Sequence, residues 1–139
     1  MDGKIKAVVK EVKSTGWTEI YIELKVDIYP LPFYVMLEGE KKCETKRGDK
    51  IIISLYSVVT PKKSKEDSKK VIIDKDEHYL VDYVGQVIEE VNNKLLIDAS
   101  LPIFVDKKEG IGVGDYVTGN GHHTIQAYLE KDDKDAIKP

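Results

Sequence analysis

The sequence predicts an all-β fold, a barrel of about eight short strands, and three observations carry that prediction. Apolar and polar residues alternate with period two along most of the chain. Turn-forming residues punctuate these runs at short intervals, and no apolar stripe of useful length at helical spacing competes with them.

Taken in order, the first run, Lys4 to Lys13, slips phase at Val8-Val9, as a strand does where a bulge bends it round a barrel. Ser14-Thr15-Gly16 makes a turn. In the run Trp17 to Ile28, Ile20, Ile22, Leu24, Val26 and Ile28 share one face, while Glu19, Tyr21, Glu23, Lys25 and Asp27 take the other. Further strands are predicted over 33–38, 50–60, 78–91, 94–98, 103–106, 116–119 and 124–130. Asn92-Asn93 joins two of them, because asparagine tolerates the left-handed backbone that a two-residue hairpin needs. Residues 61–70 hold no apolar side chain but proline and read as a mobile, lysine-rich loop. The tail 131–139 reads as flexible, which leaves one domain over 1–130.

A weak repeat runs through this pattern. Arg47-Gly48-Asp49-Lys50 introduces one strand and Val113-Gly114-Asp115-Tyr116 another. Glycine supplies an unusual backbone angle there, and aspartate bonds the turn's own N–H groups. The duplication suits a Greek-key barrel of the OB type, single or doubled.

The formal charge of −3 over 139 residues argues against a protein that coats duplex DNA by bulk electrostatics. The charge is uneven, since residues 1–70 hold 15 Lys/Arg against 11 Asp/Glu and residues 71–139 hold 7 against 14. One nucleic-acid-facing side, or docking between unlike partners, fits that asymmetry, as does a mixed solvated surface. Lysine outnumbers arginine 21 to 1, in keeping with a thermophilic or AT-rich source. The single Cys43 forbids an internal disulfide, no run of about 18 apolar residues exists, and the opening residues lack a signal-peptide pattern. A cytoplasmic protein with no membrane partner is expected.

The chemical motifs are weak. His122-His123 follows the Gly119-Asn120-Gly121 turn and cannot chelate one ion from regular β-structure, because neighbours in a strand face opposite ways. Asp74, Asp76, Glu77 and His78 lack the glycine and final glutamate of a calcium loop. Gly110-Ile111-Gly112-Val113-Gly114 precedes a strand, whereas a phosphate-cradling loop opens a helix. No nucleophile sits in a catalytic spacing, so neither catalytic residues nor cofactors are expected. More promising is an aromatic and basic surface: Trp17 and Tyr21 beside Lys4, Lys6 and Lys10, with Arg47 and Lys50 joining them. Rings stack on unpaired bases while cations meet phosphates.

The chain also resembles subunit eight of eukaryotic and archaeal RNA polymerases. The stretches that carry the likeness are Arg47-Gly48-Asp49-Lys50-Ile51-Ile52-Ile53-Ser54-Leu55-Tyr56, the hydrophilic loop 61–70, Tyr79-Leu80-Val81-Asp82-Tyr83-Val84-Gly85-Gln86-Val87 and Leu95-Leu96. The likeness covers residues 3–117. It departs from the eukaryotic members in a loop that is lysine-rich rather than acidic, and Thr118 to Pro139 has no counterpart; a compact archaeal form accommodates both. The resemblance implies a non-catalytic accessory subunit docked on the largest polymerase subunit. Tyr29, Phe33 and Tyr34, beside Pro30 and Pro32, are the candidate docking anchors there or on another protein complex. The alternative expectation is a free-standing single-stranded DNA or RNA binder; a small metal hydrolase and a structural barrel are the remaining ones.

Overall fold

The computed structural model describes residues 2–14, 20–25, 33–39, 42–76 and 80–130. These form eleven strands: β1 (Ile5–Ser14), β2 (Ile20–Lys25), β3 (Phe33–Glu38), β4 (Lys50–Ser57), β5 (Lys62–Lys63), β6 (Lys70–Ile73), β7 (Val81–Val91), β8 (Lys94–Asp98), β9 (Pro102–Asp106), β10 (Tyr116–His123) and β11 (Gln126–Glu130). A 3₁₀ turn, Lys42–Glu44, precedes β4, and the described residues contain no α-helix. The fold is all-β, as the alternation predicts.

The strands pair into two rings that share a strand. β1, β2 and β3 form an antiparallel meander; β11 lies parallel to β3 and antiparallel to β4, and β4 returns to pair with β1. That closes a ring of five. β7, β8 and β9 form a second meander, flanked by β10 on β7 and by β4, parallel, on β9. The chain leaving β4 enters β5, which pairs with β10, so the second ring is completed by the continuation of a strand that belongs to the first.

The repeat in the sequence is a repeat in space. Gly48 and Gly114 both take positive φ, 90° and 98°. The Asp49 carboxylate accepts the Lys46 N–H at 2.9 Å, and the Asp115 carboxylate accepts the Gly112 N–H at 3.0 Å. Gly48 N–H donates to the Val9 carbonyl while Val9 N–H donates to that of Asp49; Gly114, Val87 and Asp115 make the same two bonds. Each strand clamped in this way slips register just beyond its valine, β1 between Val9 and Glu11 and β7 between Val87 and Glu89. These bulges bend long strands so that one strand serves two neighbours. The first stands next to the predicted slip at Val8-Val9. Asn92 and Asn93 take φ of 48° and 63°, the left-handed hairpin expected of them.

Three features differ from the sequence reading. The segment 61–70, read wholly as loop, contains β5 and the start of β6; Lys69 pairs with Asp98 at 3.2 Å, and its carbonyl accepts the Ser100 hydroxyl. Backbone bonds to β10 and β7 hold it, and these leave no mark on hydropathy. Gly119-Asn120-Gly121, read as a turn, lies within β10 as a bulge against β7, where Gly121 N–H donates to the Asp82 carboxylate at 3.0 Å. The third is strand length: β4 stops at Ser57 and β7 begins at Val81. The tail 131–139 is outside the described residues.

A single apolar cluster fills both rings, with Val9, Leu37, Ile53, Leu55, Ile97, Ile103 and Ala127 fully enclosed. Two strand glycines make the closest approaches possible. A Cβ on Gly119 would lie 2.2 Å from the Tyr83 ring, and one on Gly85 would lie 2.5 Å from the Asp98 carbonyl oxygen. The buried Tyr83 hydroxyl has no hydrogen-bond partner among the described residues. Burial pushes its phenol pKa up, which keeps it protonated. Tyr83→Phe is therefore expected to leave stability unchanged or to raise it by up to about 1 kcal/mol, read by urea denaturation. A loss of that size would reveal a bond the hydroxyl makes.

Candidate nucleic-acid interface

Alternation decides which side chains reach the outer surface. On β4, Leu55 and Ser57 point inward and Tyr56 outward; on β9, Ile103 and Val105 point inward and Phe104 outward; on β11, Ala127 and Leu129 face the core and Tyr128 faces solvent. Because β11, β4, β9 and β8 are consecutive neighbours, the three rings form one row across the sheet, with Lys94 of β8 at its end. Tyr56 and Phe104 are direct partners across the parallel β4–β9 pair. The Tyr56 and Tyr128 rings meet edge to face at 6.4 Å. Tyr128 is 41% exposed. Together with Ser54, Lys94 and Glu130 the rings line an open groove of about 640 Å³.

The polar groups of the groove are ordered by one another. Lys94 Nζ lies 4.4 Å from the centre of the Tyr56 ring and 2.8 Å from Asp106 Oδ1. The Tyr56 hydroxyl donates to the other Asp106 oxygen at 2.8 Å. Desolvation first, then the bond to Asp106, pushes the Tyr56 phenol up to about 12, so it stays a donor. The hydrogen bond from Lys94, reinforced by the one from Tyr56, holds the Asp106 carboxyl below its usual range. Ser54 donates its hydroxyl to Glu130 Oε1 at 2.8 Å, and the Tyr128 hydroxyl donates to Gln126 at 3.1 Å.

The cations singled out in the sequence fall elsewhere. Lys4, Lys6, Lys10 and Lys50 are exposed on β1, its approach and β4, with Lys6 opposite Ile52 and Lys50 opposite Val8. Arg47 is exposed in the turn before β4. The structure thus gathers the cations on one flank of the first ring. Trp17 and Tyr29 lie outside the described residues; of Tyr21 and Phe33 only the backbone is described, Tyr21 opposite Lys13 and Met36, Phe33 opposite Leu24. Tyr34, expected as a docking anchor, is only 8% exposed; its hydroxyl donates to Glu11 at 2.9 Å and Lys13 Nζ lies 4.9 Å from its ring centre. Its ring is packed into the molecule, not displayed.

The last residues of β4 and β10, equivalent in the repeat, touch: Ser57 Oγ and His123 Nε2 are 2.7 Å apart. A nucleophile needs access and its base an orienting partner. Ser57 is 1% exposed and accepts the Val59 N–H, and His123 Nδ1 has no partner among the described residues, so this pair is a packing contact. Asp74 accepts the Asp76 N–H in a local turn, and no group of three metal-ligating side chains occurs among the described residues. Nor is any described helix long and apolar enough to cross a membrane.

Burial lowers the His123 pKa, against an opposing pull from Asp82. The unfolded chain therefore binds more protons than the native one between the folded value and about 6.5, and stability must rise with pH through that window. Urea denaturation is expected to show a midpoint that falls as pH drops from about 7.5 to 5.5, with a shallower slope in His123→Gln. Parallel slopes would remove His123 as the cause.

No match exists among family models, curated proteins or solved structures. The groove's own residues carry its chemistry: three outward-facing rings, two of them half-buried, with a lysine and two carboxylates beside them.

Proposed function

We propose that the chain is a non-catalytic binding protein, a doubled barrel of the OB type, that holds single-stranded nucleic acid across the outer face of β8, β9, β4 and β11. The observation that carries this reading is the aromatic row Phe104–Tyr56–Tyr128. It starts on β9, the third strand of the second ring, and OB barrels bind oligonucleotides on the face of their second and third strands. Tyr128 is exposed and Tyr56 and Phe104 are half-buried, so the row offers bases one open ring and part of two more to stack on, and sequence-tolerant stacking needs no further chemistry. Lys94 at the row's end and Lys6, two strands from Glu130 across β4, are placed to meet phosphates. The test is fluorescence anisotropy with labelled single-stranded RNA and DNA at low and moderate salt. Salt-sensitive binding is expected, and no binding of any single strand overturns the reading.

The setting we propose is a larger nucleic-acid machine, RNA polymerase first. Its support is the resemblance over residues 3–117 together with the doubled ring. A pull-down of the tagged protein from lysate of its source organism, followed by mass spectrometry, should recover the large polymerase subunits in stoichiometric amounts; their absence removes the polymerase from the proposal.

A further inference from the structure

We infer that the groove selects guanine among the unpaired bases, through the Glu130 carboxylate beside the tyrosine row. This rests on the single-strand reading above and deepens it. Of the two carboxylates at the groove, Asp106 has both oxygens engaged, one by Lys94 and the other by the Tyr56 hydroxyl. Glu130 is different: Ser54 donates to Oε1, and Oε2 has no partner among the described residues.

Glu130 and Tyr128 stand two residues apart on the same face of β11, and Ser54, which holds the carboxylate, lies opposite Tyr128 on β4. The carboxylate therefore leans over the strand gap toward the rings. Residues spaced in this way sit about 7 Å apart, comparable with the reach from the centre of a stacked purine to a partner bonded at its edge.

A carboxylate only accepts hydrogen bonds. Guanine is the one common base whose pairing edge offers two adjacent donors, N1–H and the N2 amino group. Uracil and thymine offer one donor flanked by two acceptors, which a carboxylate repels, and adenine and cytosine offer a single amino donor beside an acceptor. An arginine guanidinium has guanine's donor pair; the charge of Lys94 is met by Asp106, and Lys6 across β4 favours a base with a phosphate attached over a cationic peptide.

The experiment measures the affinity of uridine-rich RNAs that carry guanosine, inosine or adenosine at alternate positions, with wild-type protein and Glu130→Gln. Inosine keeps N1–H and lacks the N2 amino group. Wild type is expected to prefer the guanosine RNA roughly tenfold over the other two. Glu130→Gln, exposed and checked by its melting curve, should bind all three alike, near the wild-type affinity for the adenosine RNA. Equal affinities in wild type, or a preference that survives in Glu130→Gln, overturn the inference while leaving the single-strand reading intact. Failure to bind any single strand, RNA or DNA, removes both. Competition by an arginine-rich peptide that is abolished in Glu130→Gln, with no guanosine preference, assigns the groove to a protein and overturns it too.

Discussion

Leu55→Ala is expected to destabilise the protein by about 4 kcal/mol, toward the upper end for a buried leucine. Leu55 is fully enclosed on β4, opposite Ala127 of β11 and opposite Ile103 of β9. Its side chain therefore contacts the interiors of two rings, and neither can collapse into the space it leaves without distorting the other. For a chain of this length the melting temperature should fall by roughly 12 °C. The same placement predicts one transition rather than two, because β4 cannot leave one ring and stay in the other. Urea curves followed by far-ultraviolet circular dichroism and by aromatic fluorescence should superimpose for wild type and variant. Separate transitions would mean that the rings unfold independently; a loss under about 1 kcal/mol would mean that the site relaxes around the missing atoms.

Much of this architecture is legible in the sequence because period-two alternation is a local property. The limits of β3 and β8 are those read from the residue pattern, and the twin Gly-Asp turns declare themselves through their residues. β5 and β6 are not legible in the same way. Lys62 and Lys63 join the sheet through backbone bonds to Val117 and Thr118, and Val71-Ile72-Ile73 is too short to show a period. Gly119 reads as a turn residue although it sits in a strand, because what requires a glycine there is the Tyr83 ring from another part of the chain.

The groove was illegible for a related reason. Tyr56, Phe104 and Tyr128 are far apart in sequence and come together only because β4 runs parallel to β9 and β11 inserts between β3 and β4. No spacing rule announces pairings of that kind. The sequence does show each tyrosine on the polar phase of its strand, and an exposed aromatic on two or more strands was the available signal. The lysines expected on β1 are on the surface; of the rings expected to accompany them, Trp17 lies outside the described residues and only the backbone of Tyr21 is described.

The double substitution Tyr56→Ala/Tyr128→Ala is expected to weaken single-strand binding by roughly 100-fold, the product of two stacking contacts each in the range of 1–3 kcal/mol. Tyr56→Ala also frees Asp106 and Lys94 from the hydroxyl and the ring, so it changes charge placement as well as stacking. Tyr56→Phe separates the two effects: it keeps the ring and loses only the bond to Asp106. If stacking is what holds the strand, Tyr56→Phe should bind nearly as wild type does while the double variant does not. The salt dependence should be shallow, since few lysines flank the groove and two carboxylates lie in it; about three phosphate contacts would give a slope of log affinity on log salt near −2. A steep slope with affinity indifferent to the tyrosines would place the strand on the β1 lysines, with Lys4, Lys6, Lys10 and Lys50 as its contacts. Binding that ignores the tyrosines and the salt alike would leave the groove without a nucleic-acid role.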